Sequence, residues 1–193
     1  TKWAGKTVHF AREIDSTNLW GKRVWKEEGA KHGELFVAEY QSAGRGRFTR
    51  RWSAPPDSAI TMSILICPEF SPMKAPMLTL VMGLSVAQAV ADLGLDVGIK
   101  WPNDVVVSRK KICGILTEMT MKQDKIGCAV IGVGINVNMD SFPEEMADKA
   151  TSLYLESGHV FDRAEVVGLV MKHFEENYER FVQTEDLSGM KTD

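Results

Sequence analysis

Hydrophobic and polar positions recur along the chain with two periods, which predicts a mixture of strands and helices. Short apolar or alternating runs predict strands over residues 7–10, 35–40, 59–66, 97–100, 104–107, 112–121 and 126–137. Helical spacing predicts helices from about residue 17 to 30, from 76 to 94, and from 162 onward. Because the last four strand runs follow one another closely, we expect antiparallel hairpins rather than a doubly wound sheet. The predicted fold is α+β, a mixed and mainly antiparallel sheet flanked by helices.

Residues that cap or stop helices mark the ends of these helices. The Ser-Thr-Asn triplet at residues 16–18 offers hydroxyl or amide caps to the first helix, and Gly29 fits its end. Pro76 suits the first turn of the second helix. Asp162 and Glu165 have the spacing of a capping box at the start of the third.

Composition and charge exclude several classes of protein. The chain has 193 residues, 44% of them hydrophobic, which fits one large domain. Its net charge of -3 gives no overall basic field, so we expect no specific nucleic-acid binding by this segment. Cys67, Cys113 and Cys128 lie in apolar runs and the four histidines are scattered, which favours reduced, buried thiols over a zinc site. Without a long apolar span or a signal peptide, we expect a cytoplasmic protein that does not enter a membrane.

An arginine-rich segment, residues 44–52, is the strongest local concentration of positive charge. It reads Gly-Arg-Gly-Arg-Phe-Thr-Arg-Arg-Trp, with four arginines in nine residues. Its glycines let the backbone turn and approach a ligand, and its guanidinium groups match phosphate and carboxylate oxygens. Taken alone, the segment is equally typical of a solvated or RNA-contacting loop. It lacks the Gly-Lys-Ser/Thr ending of a P-loop.

A second candidate lies at residues 100–104, Lys-Trp-Pro-Asn-Asp, where a strand ends in a sharp turn. Pro102 favours an extended conformation at the residue before it. Lys100 is a candidate for binding a phosphate, and Asp104 for holding magnesium or accepting a proton. A simple turn closed by an asparagine or aspartate hydrogen bond is the alternative.

Two further strands carry residues that packing alone explains poorly. Lys111 opens an apolar run shortly before Gly114, although a surface lysine remains an alternative. Residues 131–138, Ile-Gly-Val-Gly-Ile-Asn-Val-Asn, place glycines inside a strand, which often marks the close approach of a ligand or another backbone. Asn136 lies among apolar residues and needs partners, either in a ligand or in the protein itself.

Together these runs resemble the catalytic domain of the biotin–protein ligases, within the biotin/lipoate ligase superfamily. The matching runs are residues 15–18, 41–47, 100–104, 111–116 and 132–136, in the family's order. The resemblance implies a class II synthetase-like catalytic domain over residues 1–186 and a polar tail over 187–193. Many relatives add an N-terminal winged-helix DNA-binding domain and a C-terminal SH3-like barrel, and we expect neither within this chain.

The resemblance also implies a reaction in two steps. Biotin and ATP, with Mg²⁺, form biotinyl-5'-adenylate, and biotin then passes to a lysine of a biotin carboxyl carrier domain. Pairing of two copies through the sheet, as a homodimer, is a further implication.

Site residues follow from the resemblance position by position. The implied catalytic residues are Lys111, Arg45, Asp104 and Arg47, and Asp104 is also the candidate magnesium ligand. The implied biotin site consists of Ser16, Thr17, Asn18, Gln41, Gly44, Arg45, Gly46, Arg47, Lys111 and Gly114. The implied ATP site consists of Arg47, Arg50, Trp52, Lys100, Asn103 and Asn136.

One departure from the family's pattern, and two alternatives, accompany this prediction. Phe48 and Thr49 stand where the family commonly has Arg-Gly, so we expect a stiffer loop. A lipoate or octanoate acyltransferase is the first alternative, with Lys111 and Cys113 as its acyl-transfer pair. A catalytically silent biotin-binding module is the second.

Overall fold

A seven-stranded sheet forms the frame of the molecule in the computed structural model, which describes residues 1–187. Its strands are β1 Val8–Ile14, β2 Leu35–Gln41, β3 Ala59–Ile66, β4 Val97–Lys100, β5 Asp104–Val107, β6 Lys110–Lys122 and β7 Lys125–Asn136. The helices are α1 Thr17–Glu27, α2 Met77–Asp92, α3 Leu153–Ser157 and α4 Arg163–Thr184.

The order of the strands across the sheet is β1-β2-β3-β7-β6-β5-β4. Among the strands of residues 1–187, only the neighbours β1 and β2 run parallel, since α1 lies between them in the chain and provides the crossover that parallel strands need. The other neighbouring pairs are antiparallel, and tight turns join β6 to β7 and β5 to β6. The predicted mixed, mainly antiparallel α+β fold is confirmed.

Helices cover both faces of the sheet. Strand side chains alternate between the faces, so neighbours in β3 enter different clusters. Ile64 packs in the larger core with α2 and α4, whereas Leu65 packs with Phe36 and Val24 of α1. All eight residues of β3 are consequently buried, which explains why six of them are apolar and only Thr61 and Ser63 are polar.

Several local predictions need correction. Strand β1 was predicted to end at residue 10, but it continues to Ile14 because its backbone pairs with β2. The polar residues in this stretch gave no strand pattern. Ser16 occupies the N-cap position of α1, but its side chain makes no capping hydrogen bond. The Asp162 carboxylate caps α4 by accepting from Ala164 N at 2.8 Å, and no return bond from Glu165 exists among the described residues. The short helix α3 had no periodicity by which to be predicted.

The remaining structural predictions concern the cysteines and the tail. All three cysteines are free; Cys113 and Cys128 are buried and Cys67 is partly exposed. Of the predicted tail, residues 188–193 lie outside the described residues, so its boundary stays a prediction. Within the described part of the chain, no helix is both long and apolar enough to cross a membrane.

Candidate active site

A cleft of about 1480 Å³ opens where the arginine-rich segment, the start of α1 and strands β6 and β7 meet. Residues of the segment 139–150 also line it. Every predicted site residue except Gly44 lines this cleft. Gly44 does not line the cleft, and a Cβ atom at this position would lie 2.2 Å from the carbonyl oxygen of Trp52. The fold therefore gathers into one cavity residues that are up to 120 positions apart in the chain.

The start of α1 forms a polar pocket at one end of the cleft. Gln41 Oε1 accepts from Thr17 N at 2.8 Å and from Thr17 Oγ1 at 3.0 Å. Asn18 Nδ2 donates to the carbonyl oxygen of Leu116 at 3.2 Å and to Glu118 Oε2 at 2.8 Å. The side chains of Thr17 and Asn18 were predicted as helix caps, but Thr17 contacts β2 and Asn18 contacts β6. Buried polar groups held in this way present fixed donors and acceptors to a ligand.

Two polar residues that support this pocket, Ser63 and Glu118, were not among the predicted site residues. The Ser63 hydroxyl, fully buried, lies 2.7 Å from Thr17 Oγ1 and 2.6 Å from Asn18 Oδ1. Glu118 closes the other side of Asn18. The available signal was a serine and a glutamate, each inside a long and otherwise largely apolar strand, where a buried polar group needs a partner.

Three glycines line the floor of the cleft, and other side chains of the protein occupy the space that their Cβ atoms would fill. A Cβ atom at Gly132 would be 2.3 Å from Asn18 Oδ1, and one at Gly134 would be 2.3 Å from Trp52 Cε2. At Gly114 the Cβ position lies 3.0 Å from Lys111 Nζ. The close approach predicted for these strands is therefore made by side chains within the protein.

Lys111 and Asp104 form an ion pair in the cleft, with 2.7 Å between Nζ and Oδ1. The Oδ1 atom is buried and the contact lacks the alignment of a hydrogen bond, so the attraction is mainly between charges. Lys111 is thus not an ordinary surface lysine. The indole Nε1 of Trp52 is also buried, with no hydrogen-bond partner among the described residues.

The arginine-rich segment folds back on itself as a small hairpin. Gly46 N donates to the carbonyl oxygen of Arg50 at 2.7 Å, and Trp52 N donates to that of Gly44 at 3.1 Å. The tip is a 3₁₀ turn in which Phe48 adopts a left-handed conformation, with φ +53°. A non-glycine residue there costs about 1 kcal/mol. The conformation that favours glycine therefore falls on Phe48, and the predicted stiffness of the loop stays a prediction.

The arginines of this hairpin have different partners. Arg45 NH1 lies 3.2 Å from Glu118 Oε1. Arg47 NH1 donates to Asn103 Oδ1 at 3.1 Å, and its guanidinium lies 4.8 Å from the centre of the Phe48 ring. These contacts hold Arg45 toward β6 and Arg47 toward the turn between β4 and β5.

The remaining predicted nucleotide residues lie farther along the cleft. Lys100 and Arg50 are exposed on its rim. Asn136 is buried and its Nδ2 donates to the carbonyl oxygen of Thr151 at 3.0 Å, which favours the structural alternative for this side chain. Its nucleotide role stays a prediction.

A magnesium ion would find a single carboxylate here. Asp104 lines the cleft, and among residues 1–187 no group of three or more His, Cys, Asp or Glu side chains is placed to hold a metal. Magnesium commonly binds through one or two carboxylates together with substrate phosphates, so Asp104 fits that mode rather than a complete protein cage.

Comparison with known proteins gives the family of this chain. The family model for the biotin/lipoate A/B protein ligase family matches residues 10–136. The chain belongs to this family. The matched range contains the polar pocket, the arginine-rich segment, the Lys111–Asp104 pair and the glycine floor.

Individual members of the biotin/lipoate A/B protein ligase family are similar over most of this chain. The bifunctional ligase/repressor BirA of Bacillus spizizenii is 42% identical over 185 residues, which cover 94% of this chain and 57% of the relative. The biotin–[acetyl-CoA-carboxylase] ligase of Paracoccus denitrificans is 32% identical over 171 residues, or 83% and 68% of the two chains. The chain spans about half the length of the bifunctional ligase/repressors that it matches.

Solved structures in the family show the same fold. The biotin protein ligase of Aquifex aeolicus, in complex with biotin and ATP, matches with a TM-score of 0.77 and 36% identity. The match covers 92% of this chain and 72% of that protein.

Proposed function

We propose that this chain is an ATP-dependent biotin–protein ligase. It forms biotinyl-5'-adenylate from biotin and ATP, and transfers biotin to a specific lysine of a biotin carboxyl carrier domain. The observation that carries the proposal is one cleft that joins a rigid polar pocket to three cations, Arg45, Arg47 and Lys111. Membership of the family and similarity to a structure that holds biotin and ATP support it.

The polar pocket at the start of α1 suits the ureido head of biotin. A ureido group has two N–H donors and one carbonyl acceptor, and Ser16, Thr17, Asn18 and Gln41 supply hydroxyl and amide groups in a buried setting. Gly46 and Gly114 line the cleft along which the valeryl chain passes, and Gly44 lets the backbone of the arginine-rich segment pack closely against Trp52.

The first step brings together two anions. A carboxylate oxygen of biotin forms a bond to the α-phosphorus of ATP, the bond from that phosphorus to the bridging oxygen breaks, and pyrophosphate leaves with the electron pair. Fixed cations reduce the repulsion and stabilise the charge that develops, and Arg45, Arg47 and Lys111 have this role.

The nucleotide lies along the other part of the cleft. Trp52 offers an aromatic face to the adenylate, and Arg50, Lys100, Asn103 and Asn136 provide polar contacts. Asp104 would hold Mg²⁺, which would supply positive charge to the phosphates of ATP.

In the second step the ε-amine of the acceptor lysine attacks the carbonyl carbon of the mixed anhydride. The bond to the phosphate oxygen breaks, AMP leaves, and the amine proton passes to a base, for which Asp104 is the candidate. No nucleophile of the enzyme is required. Closure of the arginine-rich hairpin excludes water from the anhydride.

The direct test is incubation of the chain with ATP, Mg²⁺, biotin and a carrier domain. We expect release of pyrophosphate and an increase in acceptor mass equal to one biotinyl group. Lipoate and octanoate, offered in parallel, test the acyltransferase alternative. Absence of both pyrophosphate and modified acceptor would contradict the ligase proposal and favour a silent binding module.

A further inference from the structure

Glu118, on β6, lies between the polar pocket at the start of α1 and the arginine-rich hairpin. Its Oε2 accepts from Asn18 Nδ2 at 2.8 Å. Its Oε1 lies 3.1 Å from Lys22 Nζ and 3.2 Å from Arg45 NH1. The Glu118 side chain is only 17% exposed. One carboxylate therefore contacts a helix and a loop from its position in the sheet.

The charges around Glu118 favour its ionised form. Burial alone would raise the pKa of this carboxyl, but the hydrogen bond from Asn18 and the ammonium of Lys22 outweigh burial and hold the pKa below its usual range. Two cations share this carboxylate, so its attraction for Arg45 persists at neutral pH.

Asn18 is fixed from several sides, so it is a rigid support for Glu118. Its Nδ2 has two acceptors, and its Oδ1 accepts from the Ser63 hydroxyl. The absence of a Cβ atom at Gly132 lets the amide lie against β7. A flip of this amide would place its oxygen against the acceptor oxygens of Leu116 and Glu118, which fixes its orientation.

Arg45 lies at the root of the hairpin, and not at its tip. Its backbone forms a bridge with Arg51 on the returning strand. Holding the Arg45 guanidinium therefore restrains both strands of the hairpin.

We propose that Glu118 is a positioning residue that links the biotin pocket to the arginine-rich hairpin through Asn18 and Arg45, and holds the hairpin over the cleft before nucleotide binds. Lys22 serves as the second cation that balances the carboxylate. This inference rests on the proposed ligase function for its consequence in catalysis, but the link itself is a property of the protein without substrate.

Glu118→Gln is the informative variant. Its amide oxygen can still accept from Asn18, but its NH₂ group then faces two cations, so the attraction for Arg45 is lost. Glu118→Asp keeps the charge on a shorter side chain and should restore part of the effect. Glu39→Gln is a matched control, since Glu39 is also half-buried and pairs with an arginine, with 2.6 Å between its Oε1 and Arg163 NH1. Arg163 does not line the cleft, whereas Arg45 does.

The first measurement is the rate at which trypsin cleaves the substrate-free protein after the arginines of the hairpin. Local opening of the hairpin controls such cleavage. We expect the cleavage rate to rise roughly tenfold in Glu118→Gln and by a smaller factor in Glu118→Asp. In Glu39→Gln we expect the cleavage rate to change only as much as global unfolding changes. The second is release of preformed biotinyl-adenylate, expected to be about tenfold faster in Glu118→Gln with a smaller change in biotin affinity.

Cleavage and release rates equal to those of the unmodified chain would overturn the proposal. Faster cleavage that follows only the loss of global stability, as measured by urea unfolding, would also overturn it. If the unmodified chain formed no adenylate, the ligase function would fail, and trypsin cleavage would still decide whether Glu118 holds the hairpin.

Discussion

Lys111 reaches over Gly114 to place its ammonium 2.7 Å from the Asp104 carboxylate. The register explains this contact, because Asp104 lies directly opposite Gly114 where β5 pairs with β6. A side chain at position 114 would occupy the path of the lysine, whose Nζ lies 3.0 Å from the Cβ position. The carboxylate thus holds Lys111 in the cleft, and an arriving anion can compete for the same ammonium.

The role proposed for Lys111 can be tested by removing its charge. We expect Lys111→Ala to slow adenylate formation by on the order of 10²-fold, because a fixed charge that stabilises the transition state is lost. Pyrophosphate release in a single turnover measures this step. Lys110→Ala is the control, since its ammonium donates to the carbonyl oxygen of Ala147 outside the cleft. An unchanged rate in Lys111→Ala would show that the ammonium has no part in the reaction.

The position of the Trp52 indole depends on the absence of a side chain at Gly134. In Gly134→Ala the new methyl would lie 2.3 Å from Trp52 Cε2, so the indole must move. We expect KM for ATP to rise about tenfold, which corresponds to roughly 1.4 kcal/mol of lost binding. Gly168→Ala, on α4, is the control, because a Cβ atom there has nothing within 4 Å. Unaltered KM in Gly134→Ala would argue against contact between Trp52 and the nucleotide.

Much of the sheet could be predicted because buried strands are mainly apolar, as in β3. The arginine-rich segment and Lys111 could be predicted as candidates because charge near glycines is poorly explained by packing. Partners could not be predicted: nothing in the sequence alone joins Arg45 to Glu118, which are 73 positions apart, since that contact depends on the register of β6. For the same reason Ser63 could not be predicted as a site residue, because its role depends on contacts with the side chains of Thr17 and Asn18 in α1.

Cys113 distinguishes the ligase from a thiol-dependent acyltransferase. The side chain is fully buried, and burial raises the pKa of its thiol, so a reactive thiolate is disfavoured. We expect Cys113→Ser to retain biotin transfer per folded molecule, with a loss of stability of about 1–3 kcal/mol from the buried hydroxyl. Mass analysis of the acceptor, with urea unfolding beside it, gives both quantities. Complete loss of transfer in a folded variant would favour the acyltransferase.

Stability in acid should depend on a carboxylate far from the cleft. Glu175 of α4 is buried and accepts from the backbone N–H groups of Lys2, Trp3 and Ala4, at 2.6–2.9 Å. Burial alone would raise the pKa of Glu175, but these hydrogen bonds outweigh it, and the pKa lies below its ordinary value of 4.5. The contribution to stability is therefore fully present above pH 4.5, and is lost as the pH falls through the lowered pKa of the folded state.

Glu175→Gln removes this charge while it keeps the shape of the side chain. At pH 7 we expect the free energy of unfolding to fall by about 2 kcal/mol, because hydrogen bonds to a charged acceptor are replaced by weaker ones. The variant should also lose less stability than the unmodified chain between neutral and acidic pH. Glu176→Gln, at the exposed neighbouring position, is the matched control. Urea unfolding at several pH values measures both effects, and equal pH dependence in the two variants would contradict the role assigned to Glu175.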